Sequence, residues 1–379
     1  MKNKIKNIVQ NISFALFDSG ETILGALVFS TFFPLYIIQY VDTKVYTVVY
    51  GFAFVVSFFF ALILGKIADI KGYRKLFFGI FVSLTAILCV SLFFTSDHPI
   101  LSLIIFSTMA ISHQQAFVFY NSMLLGFESR GTVSGLGVAF GYIGSAIALI
   151  FLAKMLHIPD AYLITAGIFY LLSLPAMIFL KNPEQREEGS ILGVFKEKRF
   201  IFTIISILSL TEVANTLIAM MSIYLKKVYG FEDVYIYKII GFSAIGGIVG
   251  GFVWGKITDI FSASKVFPAG FLLWISFLIF LPLAPAKIVL LVGLSAGFAL
   301  AHLWTTSRIL ILEEFPEGQA SLRLSFLSLT ERIASTTGLL TLSLFLWLTA
   351  DNFRLSAFLM VIFPLIGLYF FYVARRNTV

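Results

Sequence analysis

The chain has 379 residues, of which 59% are hydrophobic and only 12% are charged, and phenylalanine alone accounts for 43 of them. An ordinary soluble domain carries about 25% charged residues, so this composition excludes a soluble globular protein. A bilayer-spanning helix needs about 20 mostly apolar residues, so twelve spans would use roughly 240 and leave no room for a water-soluble catalytic domain. The sequence therefore predicts an all-α integral membrane protein that is not an enzyme.

Twelve apolar runs follow one another along the chain. They fall at 12–40, 46–64, 76–95, 100–125, 133–156, 161–180, 200–228, 236–254, 266–284, 288–312, 324–349 and 355–374. Each run is long enough for one transmembrane helix. The first run is too long for a signal peptide and no small-residue cleavage site follows it, so we expect it to be retained as the first span.

The net charge of +7 would suggest nucleic-acid binding in a soluble protein, but here the charges lie in short segments between apolar runs. With both termini in the cytoplasm, eighteen Lys and Arg residues fall on the cytoplasmic side and seven on the outer side. This bias follows the positive-inside rule and predicts a multi-pass protein of the inner (plasma) membrane with cytoplasmic termini. The single cysteine, Cys89, supports neither a disulfide nor a thiolate metal site, so we expect no metal or cofactor.

An internal repeat divides the chain into two halves. The segment Gly65–Ile70 returns as Gly255–Ile260 at an offset of 190, which is half of the chain length. The longest polar stretch, 181–199, lies at the midpoint. We therefore predict a first six-helix half at 1–180, a cytoplasmic linker at 181–199 and a second six-helix half at 200–379.

The loop between the second and third spans carries the clearest motif. It resembles the G-x-x-x-D-x-x-G-x-[RK]-[RK] signature of the major facilitator superfamily. The matching positions are Gly65, Asp69, Gly72, Arg74 and Lys75. The copy in the second half keeps Asp259 but lacks the second glycine and the arginine, so we expect a weaker gate lock there. The resemblance implies the major facilitator fold, with twelve transmembrane helices in two six-helix halves, usually as a monomer.

Other segments are similar to the vacuole-effluxer-like branch of that superfamily. They are Phe17-Asp18, Phe33–Tyr36, Tyr120-Asn121, Arg130–Ser145, Ser307-Arg308 and Pro316–Gly318. Fungal members of the branch, linked to autophagy, export amino acids from the vacuole, so the resemblance implies an amino acid as substrate. One departure is Ser19–Thr22, which places the acidic Glu21 where the family commonly has an Ala-Asn-Ser-like stretch.

Small residues recur every four positions in the fifth and eighth predicted spans. The two stripes are Gly137, Gly141 and Ser145, and Gly247, Gly251 and Gly255. Stripes of this kind allow helix backbones to approach closely in a membrane. We expect the fifth and eighth spans to cross along these stripes at the interface of the two halves.

Ionisable residues inside the spans are the candidate substrate- or proton-binding groups, because an unpaired charge there costs several kcal/mol. Eight qualify: Asp18, Glu21, His113, Glu212, His302, Arg308, Glu331 and Arg332. The family resemblance implies that the first, fourth, seventh and tenth spans line the cavity, and six of the eight residues lie on those spans. The amides of Asn121 and Asn215 complete the predicted site.

The spacing of four of these residues follows the internal repeat. Glu21 and Glu212 differ by 191 positions, and His113 and His302 differ by 189. At about 1.5 Å per helical residue, all four lie some 14–20 Å from the helix ends, near the membrane centre. Each half is thus predicted to offer one carboxylate and one imidazole, although each residue also has a purely structural alternative within helix packing.

This set of acids, imidazoles and a base suits a zwitterion, with Arg332 as the predicted anchor for its carboxylate. It suits a proton relay equally well, and the sequence does not separate the two. We predict a secondary active transporter that moves a small polar solute, an amino acid, by alternating access within the lipid bilayer. The alternatives are a transporter of a lipid, a lysolipid or a hydrophobic organic cation, and a receptor or scaffold that transports nothing.

Overall fold

The computed structural model describes residues 2–376, without the side chains of Lys2, Asn3, Asp233 and Arg332. Over these residues every regular element is a helix. A helix satisfies its backbone hydrogen bonds internally, as hydrocarbon surroundings require. Among the described residues, eleven helices are long and apolar enough to cross a membrane. A twelfth, Ala320–Leu348, has the length but carries three charged residues, so the all-α, multi-span architecture predicted from the sequence is confirmed.

One compact unit comprises Met1–Gly189 together with the ten residues Pro316–Ser325. Its long helices are α1 (Lys2–Leu24), α2 (Thr43–Lys71), α3 (Arg74–Phe94), α4 (Pro99–Ser122), α5 (Arg130–Ile147) and α6 (Asp160–Phe179). The helix α1 continues through Gly25–Phe32 in a π-helical conformation and ends with Phe33–Ile37. The hydroxyl of Thr31 donates to the carbonyl of Ala26, five residues earlier, within this stretch. Such π-helical turns are rare and frequently occur at functional sites.

The other compact unit comprises Ser190–Phe315 and Phe326–Val379. Its long helices are α7 (Lys198–Tyr229), α8 (Asp233–Phe261), α9 (Pro268–Leu283), α10 (Val289–Glu314), α11 (Ala320–Leu348) and α12 (Ile362–Arg376), the last preceded by the short helix Phe353–Leu359. The first turns of α11, up to Ser325, belong to the first unit, whereas the rest of that helix belongs to the second.

Four helices are more enclosed than the others. Within their most apolar windows, 61% of the residues of α1, 56% of α4, 61% of α7 and 50% of α10 are buried, against 28–44% in the other seven candidate spans. A helix that buries most of its surface packs on several sides instead of facing lipid. These four are the helices on which most of the predicted site residues lie.

The glycine stripes pack inside the unit to which each belongs. Gly137, Gly141 and Gly144 of α5 face α1, where a Cβ on Gly144 would lie 2.7 Å from the backbone oxygen of Ser19. Gly246 and Gly250 of α8, one position before the predicted stripe, face α10. The stripes do allow close helix packing, with α1 and α10 as their partners, and the crossing of the fifth and eighth spans at the interface of the two halves stays a prediction.

Candidate functional site

An acid and an imidazole meet between α1 and α4 of the first unit. Nε2 of His113 lies 3.2 Å from Oε1 of Glu21. The imidazole is buried and faces the ring of Phe29, with 4.9 Å between the ring centroids. The Glu21 side chain keeps 21% of its surface exposed, and Nε2 has no aligned hydrogen-bond partner among the described residues. Two predicted site residues therefore lie in contact, and the carboxylate of the pair retains access to its surroundings.

Asp18, one turn earlier on α1, occupies a more enclosed position. The hydroxyl of Tyr120 donates a hydrogen bond of 2.7 Å to its Oδ2. The Tyr120 ring is stacked on Phe14, with 4.0 Å between centroids. Gly137 of α5 faces the same carboxylate so closely that a Cβ at this position would overlap with Oδ2. The contacts of Asp18 are those of an acid held in helix packing, in contrast to those of Glu21.

The second unit buries a carboxylate on α7. Oε1 of Glu212 accepts a short hydrogen bond from the hydroxyl of Thr337 on α11. Oε2 is buried and has no hydrogen-bond partner among the described residues. Gly338 packs against this oxygen, and a Cβ there would lie 2.8 Å from Oε2. A buried carboxylate oxygen without a partner is costly, so this group is a candidate for binding a proton or a cationic substrate group.

Asn215 lies one turn after Glu212 and connects α7 to α11. Its amide nitrogen donates to the backbone oxygen of Glu331 at 2.9 Å and to the hydroxyl of Ser335 at 3.0 Å. The Glu331 side chain is half-buried and interacts with neighbouring groups. The side chain of Arg332, the predicted carboxylate anchor, lies outside the described residues.

His302 on α10 is fully buried, at 0% exposure. Its Nε2 lies 3.1 Å from the backbone oxygen of Val266, and its ring meets Trp254 edge-on with 4.7 Å between centroids. Gly270 covers another side of the ring. None of these contacts involves Glu212, so the acid and the imidazole that meet in the first unit are not brought together in the second.

Asn121 and Arg308, the remaining predicted binding residues, are both buried at 3% exposure and interact with neighbouring groups. The Arg308 side chain is thus enclosed by protein. A buried arginine in a span is expected to be paired.

The signature loop builds a dense polar cluster at the end of α2. Oδ1 of Asp69 accepts hydrogen bonds from Nε and Nη2 of Arg74, at 3.1 and 2.8 Å, and from the backbone nitrogen of Ser321 at 3.0 Å. Its Oδ2 accepts from the backbone nitrogen of Leu322 at 2.9 Å. The carboxylate thus caps the first turn of α11, where free N–H groups and the helix dipole favour an anion.

Arg74 closes the same cluster from the other side. The guanidinium is 0% exposed and donates to the backbone oxygens of Gln185, Glu317 and Gly318 at 2.6, 3.2 and 3.0 Å. Gly65 lets α2 approach this segment, since a Cβ there would lie 2.9 Å from the backbone oxygen of Ser321. The loop motif therefore fixes Pro316–Ser325 to the first unit through backbone groups.

The linker also takes part in this cluster. Asn182 donates to the backbone oxygen of Gly72 at 2.8 Å and accepts from the backbone nitrogen of Lys75 at 3.0 Å. Gly72 ends α2 in the left-handed conformation, with φ at 71°, and the guanidinium of Arg186 covers it. A residue other than glycine at position 72 would be strained in this backbone conformation, and its side chain would collide with the guanidinium. At the rim, Arg130 forms an ion pair of 2.7 Å with Glu317.

The second copy of the motif is built differently. Asp259 is exposed and interacts with neighbouring groups. Ser262 stands at the position equivalent to Gly72 and also has a φ of 71°, with ψ at 151°. The following backbone nitrogen, of Ala263, donates to Oε2 of Glu313 at 2.7 Å. A carboxylate from the end of α10 thus caps this loop, whereas the aspartate of the first motif caps the start of α11.

Glu314, the next residue, ties together three helix ends of the second unit. It forms an ion pair with Arg375 of α12, and its Oε2 lies 3.5 Å from Nη2 of Arg199 of α7. The Arg375 guanidinium also lies over the ring of Phe371, at 3.5 Å from the centroid. The two adjacent acids of α10 therefore connect the end of this helix to the loop after α8 and to the ends of α7 and α12.

Sequence reasoning missed the partners of the predicted groups. The donor to Glu212 is Thr337, and the acceptors of Arg74 are backbone oxygens such as that of Gln185. Every residue has the same backbone groups, so a sequence does not indicate which of them accept hydrogen bonds. Threonine is common in apolar spans, so the sequence did not distinguish Thr337 as a donor. In the sequence, Tyr120 belonged only to a segment that resembles a family motif. The structure shows that its hydroxyl donates a hydrogen bond to Asp18.

Several known proteins are similar to this chain. An uncharacterized protein of Aquifex aeolicus (strain VF5) is 53% identical over 368 residues, which cover 97% of each chain. The uncharacterized MFS-type transporter YxiO of Bacillus subtilis (strain 168) is 32% identical over 207 residues, 47% of each chain.

Solved structures share the fold at low sequence identity. The E. coli fucose:proton symporter FucP is 13% identical, with a TM-score of 0.78 and 98% of both chains covered. A bacterial homologue of the iron transporter ferroportin, in an outward-facing state, is 16% identical, with a TM-score of 0.77 over 98% of this chain and 99% of that one. The predicted twelve-helix fold is thereby confirmed.

The sequence model of the Major Facilitator Superfamily matches residues 22–261 and 215–379, which together reach over most of the chain. The transporters that share its fold agree with this match. The chain belongs to the Major Facilitator Superfamily, and it is a membrane transporter and not an enzyme.

Proposed function

We propose that this protein is a proton-coupled secondary transporter of a small polar solute, and that the solute is an amino acid. The observation that carries the proposal is the contact between Glu21 and His113 on α1 and α4. Histidine is the side chain whose ordinary titration range lies nearest to neutral pH, and a carboxylate within 3.2 Å can exchange a proton with it. Protonation of Glu21 removes its negative charge beside His113 and so gives the two protonation states different contacts.

An amino acid needs a carboxylate near its ammonium group and a cation near its own carboxylate. The accessible edge of Glu21 and the unpartnered Oε2 of Glu212 are carboxylate oxygens of the kind that an ammonium group requires. The substrate carboxylate would pair with an intramembrane cation. The candidates are Arg308, Arg332 and protonated His113. The resemblance of Arg130–Ser145 to amino-acid effluxers favours the same substrate class.

Alternating access requires a contact that is made in one state and broken in the other. We assign this role to the docking of Pro316–Ser325 on Asp69 and Arg74, whose bonds run mainly to backbone groups and so can form and break without side-chain rearrangement. The weaker second motif, with Asp259 exposed, would contribute less. Residues 181–199 would serve as the cytoplasmic linker of a monomer in the inner membrane, with both termini in the cytoplasm.

The alternative of lysolipid or organic-cation transport draws no support from the apolar cavity of the second unit. An apolar cavity of the second unit, lined by residues such as Met220, Met221 and Tyr224, has a volume of about 50 Å³. One water molecule needs about 10–15 Å³ of such volume, so this cavity holds only a few water-sized groups.

The test is uptake of labelled amino acids into liposomes that contain the purified protein, with and without an imposed pH gradient. We expect the gradient to drive accumulation by the wild type. Glu21→Gln should abolish the response to the gradient, because the carboxylate that exchanges the proton is lost. Glu232→Gln, which neutralises an exposed carboxylate before α8, is the control and should behave as the wild type.

Accumulation of a lysolipid or an organic cation but of no amino acid would refute the proposed substrate. Amino-acid accumulation that ignores the pH gradient in the wild type would refute proton coupling alone. An absence of transport for every compound, in protein that remains folded, would refute the proposal as a whole.

A further inference from the structure

A groove runs along the membrane-facing surface of the first unit, between α3 and α6. Its volume is about 610 Å³, and its lining is apolar apart from Ser83 and, at one end, Lys75. The lining residues of α3 extend from Lys75 to Ile87, twelve positions along the helix. At about 1.5 Å per residue this is about 18 Å. One leaflet of the hydrocarbon core is about 15 Å deep, so the groove spans a single leaflet.

The walls of the groove face lipid and not protein. Leu76, Ile80, Leu84 and Ile87 are 54%, 47%, 37% and 61% exposed on a helix with a mean hydropathy of 2.5. An apolar surface at this depth is covered by hydrocarbon, because no water is present to fill it. The chemistry of the lining therefore suits an acyl chain.

The floor of the groove is formed where a side chain is missing. Gly79 lies between two exposed apolar residues of α3, and the nearest atom to a Cβ at this position would be Cε of Met177 on α6, at 3.6 Å. That is an ordinary van der Waals distance, so a Cβ atom would fit without distorting either helix. Glycine at this position leaves a depression into which a chain can settle.

Lys75 gives the groove a charged end. Its ammonium group donates to the backbone oxygen of Ile178 at 3.0 Å and forms no ion pair among the described residues. A lysine ammonium has three donors, so two remain for a further acceptor. This end lies on the side that the excess of basic residues predicts to be cytoplasmic, where anionic lipid headgroups attract lysine and arginine.

A second membrane-facing groove provides the contrast. It lies between α9 and α10, has a volume of about 300 Å³ and is lined by Phe280, Leu291, Ser295 and other uncharged residues. Its lining carries no cation to hold a headgroup. Of these two grooves, the one between α3 and α6 therefore combines an apolar lining with a cation that has free hydrogen-bond donors.

We propose that the groove between α3 and α6 binds one anionic phospholipid, with an acyl chain along Gly79 and its phosphate on the Lys75 ammonium group. The site is independent of the transport proposal, because it lies on the outer surface of the first unit and uses none of the intramembrane acids. Lys75 is the second residue of α3, which begins at Arg74, so a bound phosphate would stabilise the start of this helix.

The test is native mass spectrometry of the full-length protein released from detergent that contains phosphatidylglycerol or phosphatidylcholine. We expect the wild type to retain one phosphatidylglycerol in preference to phosphatidylcholine. Lys75→Gln should weaken phosphatidylglycerol binding about fivefold, the effect of one basic residue at an anionic surface, and leave phosphatidylcholine unchanged. Lys75→Arg should retain the preference, and Gly79→Leu should reduce retention of both lipids by filling the groove.

Ser295→Leu, which places the same side chain in the uncharged groove, is the matched control and should retain phosphatidylglycerol as the wild type does. Unchanged phosphatidylglycerol binding in Lys75→Gln would overturn the headgroup contact and with it the proposal. Unchanged binding in Gly79→Leu would overturn the acyl-chain position. Equal retention of the two lipids by the wild type would show non-selective lipid and would likewise overturn it.

Discussion

The carboxylate of Asp69 should control how firmly the start of α11 is held, and Asp69→Asn tests this directly. The substitution replaces an acceptor of four hydrogen bonds by an amide with a single acceptor oxygen. It also leaves the fully buried Arg74 without its counter-charge. Removing one partner of a buried ion pair costs about 3–5 kcal/mol. Arg74 keeps its bonds to backbone oxygens, so we expect a value near the lower end, about 3 kcal/mol.

Hydrogen–deuterium exchange measures this quantity at the amides concerned. Every 1.4 kcal/mol is a factor of ten, so the backbone amides of Ser321 and Leu322 should exchange about a hundredfold faster in Asp69→Asn. The double variant Asp69→Asn with Arg74→Met removes the unpaired charge and should recover part of the loss.

Two controls separate this effect from a general loss of charge. Asp259→Asn changes the equivalent, exposed residue of the second motif and should leave exchange at Ser321 and Leu322 unchanged. Glu317→Gln removes the partly exposed ion pair with Arg130 and should cost no more than about 1 kcal/mol. Exchange in Asp69→Asn within threefold of the wild type would refute the reasoning, because the carboxylate would then not hold this helix start.

Three further predictions can be read from thermal unfolding, with a thiol-reactive dye reporting exposure of the buried Cys89. Ser262→Gly should stabilise the protein by about 1 kcal/mol, because it relieves backbone strain at a positive φ. Gly72→Ser introduces such strain and should destabilise the protein by about 1–2 kcal/mol. A change of melting temperature in the same direction for both variants would contradict this explanation. Gly137→Ala should cost about 1–3 kcal/mol through overlap with a carboxylate of α1, while Gly25→Ala, which meets no neighbouring atom, should stay within about 0.5 kcal/mol. Glu314→Gln should cost about 2 kcal/mol by leaving two partly exposed guanidiniums without a counter-charge, and an unchanged melting temperature would show that these pairs contribute nothing.

The helices and the signature loop were predictable because their signals are local. Apolar runs determine the spans, and the second predicted span, 46–64, extends to Thr43–Lys71 because its last two turns carry the polar motif. The motif was predicted from Gly65, Asp69, Gly72, Arg74 and Lys75. Its docking partner Pro316–Ser325 was not, since the groups that Asp69 binds are backbone amides about 250 positions away.

The candidate site divides in the same way. Glu21 and His113 were predicted to belong to the site because they are ionisable residues in apolar spans. The structure brings these two side chains into contact. The matching pair in the second half was inferred from repeat spacing, yet Glu212 bonds to Thr337 and His302 packs among aromatic rings. Duplicated halves keep their helices in register, but the contacts of a single side chain depend on rotamers and on neighbours that have changed independently.

The discontinuity of the first unit has a practical consequence for anyone who divides this transporter. Ten residues encoded in the second half of the gene, Pro316–Ser325, complete the polar cluster of the first unit. A fragment that ends at Gly189 would contain Asp69 and the buried Arg74. It would lack the start of α11, whose backbone groups form hydrogen bonds with these two side chains. Such a fragment would depend on co-expression of the remaining polypeptide, and a split-protein design would need to treat the start of α11 as part of the amino-terminal half.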